Sequence, residues 1–374
     1  MIYLDNSSTT HKKPIGVIWS QLLSITKNSI NPSRAGYKSA QRVSEKIFNA
    51  RELFAETFNT TADNVIFTSG CTMALNTAIF GTAKKNGHII TTVYEHNSVM
   101  RALEKIKSTQ SVTYSVVTPN KNGQITASEI QKHIRPNTYM VIVNHTSNVT
   151  GTTQNIESIG KLCKKHKLLF LVDGAQSVGH EQIDMQKYNI NLLSVAGHKG
   201  LYAPEGIGAL LINKASVSPL LYGGTGTYSD QIKQPVEPPE GLESGTSNIP
   251  GILGMYAGLK FVNRNFKKIN SKIYKLTSVL IDELKTISGV KLFSTNKHSG
   301  VVSFVVKGKD SSEVSNILNE EYNIATRPGL HCAPLVHKYM GTLKNGMTRI
   351  SISYFNKMSD IKKAIVAIKK IASN

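Results

Sequence analysis

The chain has 374 residues, 40% of them hydrophobic and 18% charged, which is the composition of a globular protein large enough for more than one domain. No stretch reaches the roughly 20 consecutive apolar residues of a membrane-spanning helix. The first residues, MIYLDNSSTT, lack the basic and apolar regions of a secretory signal. These features predict a cytoplasmic protein.

The charge of the chain is strongly positive. Its 44 basic and 24 acidic residues give a net charge of +20, which favours anionic partners such as nucleic acid. The lysines are spread through the whole chain and form no single basic arm, so nucleic-acid binding is the weaker interpretation. The three cysteines, Cys71, Cys163 and Cys332, are too widely spaced for a disulfide framework or a zinc site, and we expect no bound metal.

Short apolar runs alternate with helical segments between residues 65 and 212, which is typical of an α/β fold with a mostly parallel central sheet and helices on both faces. Helices are predicted at 72–84, 98–107, 127–133 and 156–166. The predicted strands are 65–69, 88–93, 112–117, 139–144, 168–173, 191–196 and 207–212.

The remainder of the chain predicts a second, smaller unit. Residues 213–250 are rich in Gly, Pro and Ser, and an irregular segment of that length is expected to line a site or an interface. A long helix, about 251–287, precedes a second set of strands and helices. We therefore predict a large domain at 16–250, and a linking helix with a smaller C-terminal α/β domain at 251–374. The N-terminal segment 1–15 is predicted to associate with the small domain.

Two polar residues follow apolar strands of the predicted sheet. Asp173 comes directly after LLFLV, and Lys199 follows NLLSV within AGHKG. Ligands of open α/β sheets bind at the carboxyl ends of the strands, so the two side chains are candidates for one site. Pyridoxal 5′-phosphate (PLP) needs a lysine for its Schiff base and a carboxylate against its pyridine nitrogen. A turn between a strand and a helix, residues 69–72 (SGCT), is suited to binding its phosphate.

These motifs occur in an order that resembles a known family. The chain is similar to the cysteine desulfurases and selenocysteine lyases of the class V aminotransferase superfamily, which are PLP enzymes of fold type I. The loop RPGLHCAP resembles the short cysteine loop of the group II desulfurases. The other motifs that carry the resemblance are YLDNSSTT, NPSRAG, SGCTMALN, EHNSV, SNVTG, DGAQSVGH, GHKGLYAPEGIG, ESGTSN and RISISYFN.

The resemblance implies a role for each matching residue. Lys199 would form the Schiff base, with Asp173 at the pyridine nitrogen, Gln176 at the phenolate oxygen and His96 stacked on the ring. The phosphate would be bound by Thr72, the backbone N–H of Cys71 and His198, together with Thr246 from the second subunit of a homodimer. The implied ligands of the substrate carboxylate are Asn148, Arg349 and Arg327.

The implied nucleophile is Cys332. It lies in a loop bounded by Gly and Pro, flanked by Arg327 and His331, an electropositive setting that favours the thiolate. Two positions depart from the family pattern. Ala196 stands where many relatives carry a hydroxyl that donates to the phosphate, and Tyr37 stands where the motif NPxRxxH has histidine.

The implied reaction converts L-cysteine to L-alanine and transfers the sulfur to Cys332 as a persulfide. A sulfur-acceptor protein or a small thiol would then receive the sulfur. The sequence leaves three alternatives open: a selenocysteine lyase, a class V aminotransferase or lyase without sulfur transfer, and a basic nucleic-acid-binding protein.

Overall fold

The computed structural model describes residues 1–32, 36–227 and 229–373. Three residues of the NPSRAG motif, 33–35, therefore lie outside the described residues. The helices are α1 Ile15–Thr26, α2 Lys38–Phe58, α3 Cys71–Gly81, α4 Asn97–Gln110, α5 Ala127–Gln131, α6 Ile156–Lys165, α7 Ile249–Leu284, α8 Ser311–Tyr322, α9 Pro334–Met340 and α10 Met358–Ser373. The strands are β1 Ile2–Tyr3, β2 Val65–Thr68, β3 His88–Thr92, β4 Thr113–Val117, β5 Thr138–Asn144, β6 Leu169–Asp173, β7 Leu192–Ala196, β8 Gly208–Ile212, β9 Val290–Leu292, β10 Val301–Val306, β11 Ile324–Ala325 and β12 Thr348–Ser351.

The central sheet has seven strands in the order β2-β8-β7-β6-β5-β3-β4. All pairs from β7 to β4 are parallel, whereas β8 is antiparallel to both of its neighbours, β7 and β2. The reversal follows from the chain between β7 and β8, residues 197–207, which contains no helix that could return the chain for a parallel pairing. The prediction of an α/β fold with a mostly parallel sheet is confirmed.

Both faces of this sheet are buried, which explains why its strands are continuous apolar runs. Every residue of β5 is buried, and its side chains alternate between two core clusters. Val141 and Val143 pack in one cluster, and Met140 and Ile142 pack in the other. Helices α2 and α6 contribute to the first cluster, and α3 and α4 contribute to the second. The sheet is therefore a rigid support for the residues at its carboxyl edge.

A second sheet, in the order β12-β10-β9, is antiparallel and packs against α8, α10 and the end of α7. The N-terminal segment reaches this part of the molecule, because β1 pairs in parallel with β11. Leu4 is buried in the same cluster as Phe304 and Ile350. Helix α7 contributes to the cores of both sheets. Ile252 packs in the first cluster of the central sheet, and Leu276 packs with Leu4 in the cluster of the second sheet. The division of the chain into domains at residue 250 stays a prediction.

Residues 213–248 contain a single short 3-10 turn, Glu240–Leu242, among the described residues. This irregular segment is anchored to α2 by a largely buried ion pair, in which Arg51 Nη2 lies 2.7 Å from Glu243 Oε2. The same carboxylate accepts a hydrogen bond of 2.6 Å from the backbone N–H of Phe67 in β2. Across the described ranges, no helix is both long and apolar enough to cross a bilayer.

Candidate active site

A cavity of about 370 Å³ lies where polar residues follow the strands of the central sheet. Its wall contains every residue that the sequence placed at the site except Cys332 and Thr246. The predicted residues that line it are Cys71, Thr72, His96, Asn148, Asp173, Gln176, His198, Lys199, Arg327 and Arg349. Residues far apart in the chain thus converge on one polar cavity.

Asp173 ends β6 at the floor of this cavity and is only 1% exposed. Its Oδ1 accepts a hydrogen bond of 2.9 Å from the backbone N–H of Ala175, and Ser194 Oγ of β7 lies 3.4 Å away. Its Oδ2 accepts a bond of 3.4 Å from the amide of Asn144, which ends β5. Donors from both neighbouring strands therefore hold the carboxylate in a fixed orientation.

Lys199 lies in the turn after β7 and lines the same cavity. Burial lowers its pKa, and the charges of Arg349 and Arg327 act in the same direction, whereas Cys71 and Asp173 oppose the shift. A lysine with a lowered pKa is more often the neutral amine that can act as a nucleophile or a base.

His96 is the N-cap of α4, and its Nδ1 accepts a hydrogen bond of 3.1 Å from the backbone N–H of Ser98. Because Nδ1 is an acceptor, the hydrogen of the neutral ring is assigned to Nε2. Burial lowers the pKa of His96 to about 4, and the charge of Lys199 adds to this shift. His96 is thus a neutral, oriented ring on the cavity wall.

Another part of the wall is suited to an anion. Helix α3 begins at Cys71, and its N-cap, Gly70, supplies no side-chain cap, so the first N–H groups of the helix are available. His198 also lines this cavity, and its Nδ1 is buried without a hydrogen-bond partner among the described residues. Ala196 lies in the wall with no hydroxyl to offer.

Gln176 is held by the N-terminal segment, because its Nε2 donates a hydrogen bond of 3.0 Å to the carbonyl of Ser7. One hydrogen of the amide remains for another acceptor. The segment is fixed in turn by the Thr10 backbone N–H, which donates to the carbonyl of His198 over 3.0 Å. The N-terminal segment thus supplies Ser7 and Ser8 to the wall and also holds Gln176 and His198 in place through hydrogen bonds.

The two predicted arginines converge on the same segment. Arg349 is 2% exposed, and its Nη2 lies 2.7 Å from Asp5 Oδ1 and 2.9 Å from Ser8 Oγ. Arg327 Nη1 donates to the same Ser8 hydroxyl over 2.6 Å. Arg349 Nε is buried without a partner in the described residues. A substrate carboxylate at Arg349 would therefore share the guanidinium with Asp5.

Cys332 lies outside the cavity lining, but its loop is bonded to the cavity wall. The carbonyl of Cys332 accepts a hydrogen bond of 2.7 Å from the N–H of Asn97, next to His96. The carbonyl of the preceding residue, His331, accepts one of 2.7 Å from the amide of Asn148. The thiol itself is exposed, whereas Cys163 is buried.

The backbone at Cys332 is strained. His331 and Cys332 have φ of 51° and 57°, a left-handed conformation that costs a non-glycine residue on the order of 1 kcal/mol or more. Two such residues in succession persist only where the surrounding contacts enforce them. The expectation that His331 adds positive charge here is wrong, because burial lowers the pKa of His331 to about 3 and leaves the ring neutral.

Two other residues that the sequence singled out, Thr246 and Tyr37, lie outside the lining of this cavity. Thr246 is exposed and lines a neighbouring cavity that it shares with Ser69 and Gly206. Its predicted role, contact with a phosphate bound by a second subunit, stays a prediction. Tyr37 is the N-cap of α2 and is 53% exposed, and its side chain makes no capping hydrogen bond.

Three polar residues of the site were not predicted: Asn144 lines the cavity, whereas Ser194 and Asp5 lie outside its lining and contact Asp173 and Arg349. Asn144 ends β5 just as Asp173 ends β6, so its position at the end of an apolar strand is a signal present in the sequence. Ser194 was visible as a lone polar residue inside the apolar run NLLSVA. No local signal could have shown that Asp5 pairs with Arg349, because the two lie 344 residues apart in the chain.

The residues present fit PLP on three counts. The cavity volume, about 370 Å³, is within the range of small-molecule sites. A lysine of lowered pKa and an oriented carboxylate share its wall. Four buried polar atoms on residues that line it have no hydrogen-bond partner in the described part of the chain, namely His198 Nδ1, Asn144 Oδ1, Asn148 Oδ1 and Arg349 Nε. Such atoms are rare in native structures unless they serve a ligand or a water molecule.

The histidines of the fold predict a loss of stability in acid. Seven of them have pKa values lowered to between about 3 and about 4, chiefly by burial, against about 6.5 in an unfolded chain. The unfolded state binds more protons below pH 6.5, so the free energy of unfolding falls as the pH falls, by more than about 1.4 kcal/mol per pH unit. Glu95 has the opposite sign, because burial raises its pKa to about 8 and its folded form keeps a proton that the unfolded form releases above about pH 4.5, so this one group offsets part of the effect of the seven histidines. The seven are His88, His96, His145, His180, His198, His331 and His337.

Urea unfolding of the apoprotein at pH 7, 6 and 5 measures this effect directly. We expect the midpoint to fall with each step. A midpoint that stays constant would show that these rings accept protons in the folded state.

The comparisons with known proteins agree with this geometry. The family model for class-V aminotransferases matches residues 2–364. A probable cysteine desulfurase of Pyrococcus abyssi is 31% identical, over 100% of this chain and 95% of the relative. A probable cysteine desulfurase of Borreliella burgdorferi is 33% identical, over 99% of this chain and 92% of the relative.

Solved structures show the same likeness in three dimensions. The apo structure of a cysteine desulfurase from Thermococcus onnurineus superposes with a TM-score of 0.92 at 29% identity, covering 100% of this chain and 94% of that one. The Escherichia coli cysteine desulfurase CsdA superposes with a TM-score of 0.89 at 25% identity, covering 99% and 94%. The chain therefore belongs to the class-V aminotransferase family and, within it, to the cysteine desulfurases.

Proposed function

We propose that this protein is a PLP-dependent cysteine desulfurase that releases L-alanine from L-cysteine and transfers the sulfur to Cys332. The observation that carries the proposal is one cavity whose wall contains a lysine of lowered pKa and an oriented carboxylate, with the loop of an exposed cysteine bonded to that wall. Lys199 and Asp173 share this cavity and Cys332 lies in a loop bonded to its wall, an arrangement that a purely structural protein does not require.

The cofactor, when bound, supplies an aldehyde that condenses with amines and a protonated ring that withdraws electrons from the substrate. Lys199 would hold it covalently, and Asp173 would keep the ring nitrogen protonated. His96 offers a flat, neutral ring for stacking, and Gln176 has a free amide hydrogen for the phenolate oxygen. The N-terminus of α3, with Thr72, and His198 would bind the phosphate.

The substrate would be oriented by its carboxylate. The guanidinium of Arg349 and the amide of Asn148 lie on the same wall, and Arg327 is tied to them through Ser8. Arginine suits this role because its planar fork binds a carboxylate at two points. Here Nη2 is bonded to Asp5 and Ser8, and Nη1 donates to the Asn148 carbonyl over 3.0 Å, so two-point binding of the carboxylate would replace one of these contacts.

Lys199 would take the proton from the α-carbon of the substrate. Burial lowers its pKa, which favours the neutral amine required for this step. Once it has taken this proton, the Lys199 ammonium would be able to return a proton to a carbon atom of the substrate.

Cys332 would receive the sulfur. Its thiolate attacks the substrate sulfur, so that an S–S bond forms and the Cβ–S bond breaks. The electron pair of the broken bond stays on Cβ, which takes a proton and becomes the methyl group of alanine. The products are L-alanine and a persulfide on Cys332, and the exposure of this residue allows an acceptor protein or a small thiol to collect the sulfur.

A homodimer is part of the proposal. Thr246 is exposed, and its side chain makes no hydrogen bond to any of the described residues of its own chain. Helix α1 also exposes an apolar surface, on which Ile18, Trp19 and Leu22 are each at least half accessible. Exposed apolar surface of this kind is typical of protein interfaces.

The deciding experiment is incubation of the PLP-reconstituted protein with L-cysteine and a dithiol reductant, with alanine and sulfide measured together. Equal amounts of the two are expected. Turnover that depends on an added keto acid, without sulfide, would instead indicate an aminotransferase. A parallel reaction with L-selenocysteine, with alanine and selenide measured, distinguishes a desulfurase from a selenocysteine lyase.

A further inference from the structure

A chain of hydrogen bonds links three residues behind the cysteine loop. His331 Nε2 lies 3.2 Å from the carbonyl oxygen of Arg327, and His331 Nδ1 lies 3.4 Å from His337 Nε2. His337 Nδ1 lies 2.9 Å from Thr342 Oγ1. The two imidazole rings are stacked, with centroids 5.6 Å apart and an angle of 25° between their planes. We call these residues, His331, His337 and Thr342, the histidine chain.

The hydrogens of this chain can be arranged in one direction only. A carbonyl oxygen accepts, so His331 Nε2 must carry a hydrogen, and in the neutral ring His331 Nδ1 then accepts. His337 Nε2 must therefore donate to it, and His337 Nδ1 accepts from the Thr342 hydroxyl. Burial lowers the pKa of both rings, so the neutral forms that this arrangement requires are the ones present near pH 7.

The histidine chain ends at the strained part of the loop. His331 and Cys332 both have a left-handed backbone, and His331 is 4% exposed while His337 is fully buried. A side chain fixed at both ring nitrogens fixes the orientation of its own backbone. We infer that the histidine chain is a positioning device that holds the His331–Cys332 backbone left-handed and so aims the Cys332 thiol toward the substrate cavity, an inference that rests on the proposed function of Cys332.

Two other contacts connect the same backbone to the cavity. Asn148 donates to the His331 carbonyl, and the Asn97 N–H donates to the Cys332 carbonyl. Asn148 lines the cavity, and Asn97 follows His96 directly. The loop is therefore held from the cavity side by these two donors and from the interior by the histidine chain. His331 itself lines the cavity, so loss of the interior contact would free the loop and this one residue of the wall, while the other lining residues keep their own contacts.

The variants separate the hydrogen bond from the bulk of the ring. His337→Leu removes both nitrogens. His337→Gln keeps an N–H near the position of Nε2 and so retains a donor to His331. Thr342→Val removes only the hydroxyl at the other end. The matched control is His88→Leu, because His88 is also fully buried and is also bonded at both nitrogens, to Thr138 and Ser115, at a distance from the site.

The expected results concern the rate of alanine release, measured well below the unfolding temperature. In His337→Leu, kcat falls at least about tenfold, because small misplacements of a reacting group can cost up to about 10²-fold. KM for L-cysteine and the visible spectrum of the bound cofactor stay unchanged. His337→Gln recovers most of kcat, Thr342→Val gives an intermediate loss, and His88→Leu lowers only the unfolding temperature.

A second readout does not depend on catalysis. The Ala333 N–H donates to the Leu330 carbonyl across the strained residues. Hydrogen–deuterium exchange of the peptide that contains Ala333 should be several-fold faster in His337→Leu than in the wild type or in His337→Gln.

The outcomes distinguish the inference from the proposed function. Unchanged kcat in His337→Leu, an equal loss in His88→Leu, or no recovery in His337→Gln would each overturn the positioning role. An unchanged rate of hydrogen–deuterium exchange at Ala333 would show that the histidine chain does not restrain the backbone of the loop. A wild-type protein that releases no alanine would contradict the proposed function, while the exchange measurement would still report on the loop.

Discussion

Lys199→Ala is expected to abolish the visible absorption that depends on a covalent bond between the protein and PLP. The same substitution should lower the rate of alanine release by at least about 10²-fold, since it also removes the proposed base. The physical reason is that Lys199 is the amine of lowered pKa on the cavity wall. The measurement is the spectrum of the reconstituted variant together with an alanine assay.

The matched control for this prediction is Lys13→Ala. Lys13 is also half-buried and has a lowered pKa, chiefly through burial, but it bonds to Thr10 and lies outside the cavity lining. It should keep both the spectrum and the activity. A Lys199→Ala protein with an unaltered spectrum would contradict the assignment of the cofactor site.

Cys332→Ala is expected to keep the cofactor spectrum and to lose alanine release from L-cysteine. Cys332 lies outside the cavity lining, so its removal leaves the proposed cofactor contacts in place. Alanine has the same β-carbon as cysteine, so the strain of the left-handed backbone at φ 57° is retained and the comparison isolates the sulfur. The persulfide is measured by mass spectrometry of the wild-type protein after exposure to L-cysteine.

Cys163→Ala serves as the control, because Cys163 is buried in α6 among apolar residues. It should form the persulfide on Cys332 and release alanine at the wild-type rate. If Cys332→Ala still desulfurates L-cysteine as fast as the wild type, the sulfur is not transferred to this residue. Activity with L-selenocysteine alone in that variant would favour the selenocysteine lyase.

Much of the fold could be read from local patterns. Each strand predicted between residues 65 and 212 is present, with bounds that differ by about one residue, and the helices begin close to their predicted positions. Buried strands of a covered sheet are apolar along their whole length, so their composition alone marks them. Strand-end placement also brought Asp173 and Lys199 to the same cavity, since both follow neighbouring strands, β6 and β7.

The direction of β8 was not visible in the same way. An apolar strand has the same composition in either direction, and only the absence of a helix between β7 and β8 decides how it pairs. The sequence predicts an irregular segment at 213–250, and the structure agrees up to Ile249, where α7 begins. Its anchor, the ion pair of Arg51 with Glu243, joins residues 192 positions apart and has no local signature.

The sequence by itself determined the chemistry available to this protein: a lysine, a carboxylate and a cysteine in motifs of a recognisable family. Residue type and the strand or turn it follows are local properties, and they survive in the sequence. Only the tertiary structure decided the charge state and the orientation of these groups. Burial makes His331 neutral where its sequence neighbours suggested a cation, and distant residues fix Arg349 against Asp5 and His331 against His337. Both effects depend on which atoms surround a group in space, and those atoms come from remote parts of the chain.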